Sequence, residues 1–364
     1  MRLLIVTQKV DREDENLGAF YYWFERLAKE ASEVTIIASF VGKTDFPDHV
    51  NVFSLGKEEH AGRFSRIKKF FELFSYHYAK SDAVFFHQIP EFVIAAAPFL
   101  LSLKKRSVLW YAHKSVTTRL KLAERLVDFI ATSSPEGFRL PSKKVIYTGQ
   151  AINTELFKPS EGSMRADIDK IDKLKLITVG RISPIKNYEQ IINACVIGKG
   201  LWPQGWSLTI VGGPILPRDY TYLESLKRLV AEKNLTSHIT FRGSVGYSQI
   251  PALLQEHDLF VNVSGTGSLD KAVFEAMACG LSVLTANEAY RAIVPDNYFL
   301  DHTNPEFIAE RIKYVGMEDR PNMALRRIVL DRHSLDSTIT KLLSLLRDMT
   351  IVTNGRAIPL YIVK

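Results

Sequence analysis

Gly265-Thr-Gly-Ser-Leu-Asp-Lys-Ala-Val-Phe-Glu-Ala-Met-Ala-Cys-Gly280 decides how this chain is read. It follows an apolar run of strand character, Asp258 to Val263, and passes from a polar, glycine-rich turn straight into a helical pattern. Backbone N–H groups at such a helix start have no intrahelical partners, and the helix dipole adds partial positive charge, so the turn suits a phosphate. One turn into the helix, Glu275 offers a carboxylate that accepts hydrogen bonds from sugar hydroxyls. A plain surface turn ahead of a core helix has the same pattern, because glycine-rich connectors are common.

A second element upstream favours the ligand reading. Leu174 to Val179 is an apolar, partly β-branched run typical of a buried strand, and it ends in Gly180-Arg-Ile-Ser-Pro-Ile-Lys-Asn187 ahead of another helical pattern. Arg181 and Lys186 are two cations on a loop at a strand's C-terminal end. That is where ligands bind in open α/β sheets. Arginine contributes a planar fork of donors and lysine a compact point charge, a suitable clamp for a diphosphate.

These stretches together resemble the retaining GT-B glycosyltransferases of family 4, the glycosyl transferases group 1. The resemblance rests on Gly180-Arg181, Lys186 and Glu275-Ala-Met-Ala-Cys-Gly280, and extends to Leu208-Thr-Ile-Val-Gly-Gly213, Phe241-Arg-Gly-Ser-Val245, Lys144 to Phe157 and His113 after an apolar strand. It implies an α/β chain with the GT-B architecture: two Rossmann-like domains facing each other across a cleft. It departs from the family at one point. Family members carry two glutamates separated by seven residues, and the first of the pair falls here on Gly267. Asp270 is the nearest carboxylate in the turn and is the candidate to take over contact with the transferred sugar.

The chain has 364 residues, enough for two domains that each bury a core. Its 46% hydrophobic and 24% charged content is that of a soluble globular protein. Cys195 and Cys279 have no metal-like spacing and read as buried thiols of a reducing compartment. The longest apolar stretch, Phe92 to Leu103, is too short to span a bilayer and contains Pro98. The first residues enter a strand at once, Leu3 to Val6, without signal-peptide architecture. The expected location is the cytoplasm, with the inner membrane surface as a peripheral site. A net charge of +7 favours anionic partners: nucleotide-sugars, acidic lipids or nucleic acid. Nucleic acid is the least supported, since neither a known motif nor a long basic arm is present.

Strand and helix patterns alternate throughout, which argues parallel sheets. Strands are expected at Leu3–Thr7, Val34–Ser39, Ala83–Phe86, Val108–Ala112 and Lys144–Thr148, then at Leu174–Val179, Ser207–Val211, Ile239–Phe241, Leu259–Val263 and Ser282–Thr285. The domain boundaries read as an acceptor-side domain over 1–158, a polar linker over 159–173 and a nucleotide-sugar domain over 174–334. Residues 335–364 form a tail whose helix, about Asp336 to Arg347, crosses back to the first domain in the family. Asp167 and Asp169 in the linker mimic a metal-binding Asp-x-Asp, but a charged linker away from any strand end reads as solvated charge.

In the first half, Gly18 opens a helical pattern after an acidic loop and matches the family glycine that lets the backbone approach the donor phosphate. Asp11 and Asp14 in that loop are candidates for acceptor hydroxyls, with plain solvent exposure as the competing reading. His113 lies at a strand end and can donate to a sugar hydroxyl or phosphate. His87 has a similar setting with weaker family support. Over residues 62–78, Phe64, Ile67, Phe70, Phe71, Phe74 and Tyr78 share one helical face flanked by Arg66 and Lys68. Such a helix lies in an anionic lipid surface or packs that face on the first sheet.

The resemblance implies a metal-independent, retaining glycosyltransferase of the hexosyltransferase type. It would move a sugar from a nucleoside-diphosphate sugar to a glycan or lipid-linked acceptor, with no other cofactor. His113, Arg181, Lys186 and Asp270 are then the catalytic set. Gly18, Gly267, Ser268 and Glu275 complete the donor site. Two alternatives stay open: a catalytically weak nucleotide-sugar-binding subunit, suggested by Gly267, and a nucleotide-sugar epimerase on the same fold.

Overall fold

The computed structural model describes residues 1–160, 173–202, 205–347, 350–353 and 356–359. The chain divides into two compact units, 1–151 with 334–364, and 152–333. The Asp167 and Asp169 pair and nearly all of the expected linker over 159–173 lie outside the described residues.

The first unit runs β1 (Arg2–Val10), α1 (Gly18–Ala28), β2 (Glu33–Val41), β3 (Val50–Ser54), α2 (Arg63–Lys80), β4 (Ala83–His87), α3 (Pro90–Ala95), α4 (Ala97–Ser102), β5 (Arg106–Trp110), α5 (Thr118–Leu126), β6 (Phe129–Thr132) and β7 (Val145–Tyr147). Its seven strands are parallel in the order β3-β2-β1-β4-β5-β6-β7. Parallel sheets are covered on both faces, so their central strands read as unbroken apolar runs. Leu3, Leu4, Ile5 and Val6 of β1 are buried in this way.

The second unit runs β8 (Leu174–Val179), α6 (Tyr188–Leu201), β9 (Trp206–Val211), α7 (Pro217–Glu232), β10 (Ile239–Gly243), α8 (Ile250–Gln255), β11 (Leu259–Asn262), α9 (Lys271–Ala278), β12 (Ser282–Thr285), α10 (Pro305–Val315) and α11 (Met323–Arg332). Its five strands are parallel in the order β10-β9-β8-β11-β12. Strand order reverses between β1 and β4 in the first sheet and between β8 and β11 in the second. Ligand crevices of doubly wound sheets open outside the C-terminal strand ends at such a reversal.

The chain then returns to the first unit as α12 (Leu335–Arg347), which packs on α1, β4 and β5. Ile339, Leu342 and Leu345 of α12 are buried. Thr338 donates to the Thr148 carbonyl at 2.9 Å, and Arg26 of α1 pairs with Asp336 at 2.6 Å. A short antiparallel pair, β13 (Thr350–Thr353) with β14 (Arg356–Pro359), follows.

The aromatic face of α2 packs on the first unit along only part of its length. Phe70, Phe74 and Tyr78 are buried in the core of the first unit, whereas Phe64 is 89% exposed, and Ile67 and Phe71 are exposed as well. Among the described residues no helix is long and apolar enough to cross a membrane.

Candidate functional site

In the second unit the loop after β8 and the loop after β11 meet at the reversal point. The first closes with a short 3₁₀ turn, Pro184–Lys186, and Asn187 in a left-handed conformation (φ 50°) ahead of α6. Asn187 Nδ2 donates to the Val263 carbonyl at 3.1 Å, and Gly265 N–H donates to the Ile185 carbonyl at 3.0 Å. Tyr188 Oη returns to the Gly180 carbonyl at 2.8 Å. Gly212, after β9, is needed for this packing: a Cβ there would lie 2.1 Å from the Gly180 carbonyl oxygen.

These contacts deliver Lys186 to Asp270, with Nζ 2.8 Å from Oδ1. Asp270 stands at the N-cap of α9, yet its side chain makes no capping hydrogen bond. Its carboxylate points instead into a polar cluster. Asn262 Nδ2 donates to Oδ2 at 3.1 Å, Asn287 Nδ2 at 3.4 Å, and Thr266 Oγ1 to Oδ1 at 3.5 Å. The side chain thus serves the cluster and Lys186 rather than the start of α9. Gly267 is buried with φ 63°, a left-handed turn that glycine adopts without cost. The Ser268 carbonyl accepts from Asn287 Nδ2 at 2.7 Å, which fixes the turn.

Arg181 sits beside the buried Asp219, with Nε 3.9 Å from Oδ2. Asp219 is occupied by the start of α7, accepting from the N–H of Leu216 at 3.0 Å. One buried carboxylate thus both caps the start of α7 and faces the arginine.

Glu275 is buried and accepts from Tyr247 Oη at 2.8 Å. Burial disfavours its charged form and pushes its pKa up to about 7, opposed by the charge of Lys271 and the Tyr247 hydrogen bond. Sequence reasoning missed Tyr247, Asp219, Asn262 and Asn287. Asn262 carried a readable signal, being the one polar residue that ends the apolar run Leu259-Phe-Val-Asn262.

In the first unit the strand ends hold a different set. His113 is exposed, and its Nδ1 accepts from Ser115 N–H at 3.1 Å, so the proton of the neutral ring sits on Nε2. His87 is instead a core residue, stacked on Trp110 and within 3.1 Å of Thr7 Oγ1 through Nδ1. Gly18 begins α1, with its N–H donating to the Asp14 carbonyl at 2.9 Å. Both loop aspartates are engaged locally. Asp14 pairs with Lys9 and accepts from the N–H of Leu17 and Asn16, which outweigh burial and hold its carboxyl below the usual range. Asp11 accepts from the N–H of Glu13 at 3.1 Å and of Lys43 at 3.3 Å. Among the described residues no cluster of three or more His, Cys, Asp or Glu side chains is arranged for a metal ion.

The segment that builds the cation and carboxylate cluster, residues 163–327, matches the model of the family described as Glycosyl transferases group 1. Residues 163–327 are a glycosyl transferases group 1 domain. The chain is 26% identical, over 189 residues, to a Mycobacterium tuberculosis protein named GDP-mannose-dependent α-(1-6)-phosphatidylinositol monomannoside mannosyltransferase, an alignment covering 48% of this chain and 47% of that protein. The chain thus spans about half the length of the curated relatives it matches. The fold is GT-B, shared along nearly the whole chain with solved structures. Anabaena HepE, solved with UDP and glucose, has TM-score 0.71 at 16% identity, covering 96% of this chain and 100% of that one. Sucrose-phosphate synthase of Thermosynechococcus elongatus has TM-score 0.71 at 18% identity, covering 96% and 99%. WaaG, a glycosyltransferase involved in lipopolysaccharide biosynthesis, has TM-score 0.66 at 14% identity, covering 94% and 99%.

Proposed function

We propose that this chain is a glycosyltransferase that moves a sugar from a nucleoside-diphosphate sugar to an acceptor hydroxyl with retention, using protein cations rather than a metal. The observation that carries this reading is the pairing of Lys186 with Asp270 across the two loops that meet at the reversal point of the second sheet, with Arg181 on the same loop as Lys186 and the buried Glu275 on the helix that follows Asp270, inside the group 1 domain. Lys186 and Arg181 stabilise the charge growing on the leaving diphosphate, and Glu275 holds the ribose hydroxyls. The acceptor oxygen bonds to the anomeric carbon on the face the phosphate leaves, the carbon–phosphate oxygen bond breaks, and the acceptor proton passes to that phosphate oxygen. In the first unit His113 supplies a donor N–H through Nε2, Gly18 opens α1, and Asp11 and Asp14 shape the loop ahead of it. Sugar release from UDP-, GDP- and ADP-sugars, with and without added acceptor, tests the proposal. Absence of turnover with all three donors, in a chain that still binds nucleoside diphosphate, would leave a binding subunit. The Lys186–Asp270 pair favours that second reading, because an internal carboxylate already neutralises one of the cations.

Glu275 makes the donor site sensitive to pH. Ribose hydroxyls donate to the ionised carboxylate, so binding is linked to loss of a proton from a group whose pKa is raised to about 7. Affinity for UDP, GDP or ADP should therefore rise by about tenfold between pH 6 and pH 8 through this group. Glu275→Gln should weaken binding at pH 8 by about 1.5–3 kcal/mol and by less at pH 6. Comparison with the variant removes the ligand's own phosphate titration. A wild-type to variant ratio that stays constant across this range in calorimetry would assign Glu275 to structure alone.

A further inference from the structure

Two adjoining cavities in the first unit extend the proposed acceptor site toward a definite substrate class. The first, about 550 Å³, opens at the C-terminal strand ends and is lined by Gln8, Gln88, Tyr111 and His113. Gln88 there is held in the left-handed region, φ 70°, a strained conformation of the kind that collects at functional sites. The second, about 600 Å³, lies between α2 and α3 and is floored by Leu55, Phe70, Phe92 and Ala95, with Ile67 at its edge. Ile89, Glu91 and Arg119 line both, so the cavities share a wall. Each falls in the range of about 300–1,000 Å³ common to small-molecule sites.

The two cavities differ in chemistry. The first carries the imidazole and the amide side chains of Gln8 and Gln88; the second is more strongly apolar, with arginines around it. Arg119 pairs with Glu91 at 2.6 Å on the shared wall. Arg63 and Arg66, on the other side, form no ion pair among the described residues, and Arg66 Nε is buried without a hydrogen-bond partner. An apolar trough beside unneutralised guanidinium groups fits an apolar chain joined to an oxyanion that arginine holds through two parallel bonds.

We propose that the acceptor is an amphiphile whose hydroxyl-bearing head occupies the His113 cavity and whose phosphate-linked apolar chain lies in the α2–α3 cavity. This rests on the glycosyltransferase reading for the meaning of the head, and it selects lipid-linked over free glycan acceptors. The chain-length dependence follows from burial: each methylene moved out of water multiplies affinity about fourfold.

The test is calorimetric titration of the whole chain with n-alkyl phosphates from hexyl to decyl, below their micellar concentrations, and with alkyl glucosides of the same lengths. Affinity for the phosphates should climb about fourfold per methylene and exceed that for the glucosides by about tenfold. Ile67→Glu, at an exposed position on the cavity edge, should flatten the length dependence, and Arg66→Gln should remove the phosphate preference. Lys68→Glu, outside the lining, should leave both unchanged. Affinity independent of chain length overturns the proposal. So does a loss with Lys68→Glu equal to that with Ile67→Glu, which marks adsorption to a charged surface. No donor is present, so the result stands apart from turnover. Alkyl phosphate binding with no transfer from any nucleotide-sugar keeps the cavity and removes the glycosyltransferase reading. Transfer to a soluble glycan without alkyl phosphate binding removes the cavity.

Discussion

Lys186→Ala is expected to lower kcat/KM for sugar transfer by about 10²-fold or more, near 2.7 kcal/mol, the scale for loss of a charge stabiliser at a leaving group. Arg181→Ala should act on the same scale. The geometry adds a complication for Lys186 alone, because its ammonium is the charged partner of Asp270 at 2.8 Å. Removing it leaves a mostly buried carboxylate held only by neutral donors, at a cost to folding of about 1–3 kcal/mol. Stability and catalysis are separated by a double-mutant cycle. Lys186→Ala with Asp270→Ala should regain part of the lost melting temperature, since neither charge is then unpaired, while turnover stays low. Recovery of turnover together with stability would show that Lys186 acts only as a structural partner of Asp270.

Asp270→Asn is the second large effect, and its signature is a divergence. The asparagine keeps the size and can still accept from Asn262 and Asn287, which donate to Oδ2 in the wild type. It removes the negative charge facing Lys186. Nucleoside diphosphate binding should then tighten, because the lysine is freed for the ligand and a like charge is gone. Transfer should fall by about 10- to 150-fold if the carboxylate meets a sugar hydroxyl in the transition state. Calorimetry with UDP, GDP and ADP gives one half of the comparison and initial rates give the other. Binding and transfer falling in parallel would make Asp270 a positioning residue for Lys186 and remove it from the sugar.

Much of this site was legible because its parts are local in sequence. Arg181 and Lys186 sit on one strand-end loop, Glu275 on one helix turn, and all five strands of the second sheet stand as apolar runs between glycine or polar breaks. What stayed hidden was long-range or weakly patterned. The Lys186–Asp270 pair joins residues 84 positions apart, and nothing in either segment names the other. β3 and β6 were not foreseen. β3 is a partly exposed edge strand, Val50–Ser54, with the polar Asn51 inside it, and β6 starts only two residues after α5, so neither stands apart from its flanks as an apolar run. Periodicity placed six residues of α2 on one face but carried no information about where the covering sheet ends. That is why Phe74 is buried while Phe64 is 89% exposed.

The return of α12 gives the chain an order of assembly. The second unit is one continuous segment, 152–333, whereas the first needs both 1–151 and the helix from 335 to 347. During synthesis at about 5–20 residues per second, the strands β1 to β7 wait about 10–40 s for the helix that covers part of β4 and β5. Over that interval the apolar surface later buried by Ile339, Leu342 and Leu345 faces solvent. The inserted segment can complete its own sheet meanwhile. The N-terminal half is thus the last to finish although it is the first to leave the ribosome, and its uncovered sheet is the part of the nascent chain that a holding chaperone would find.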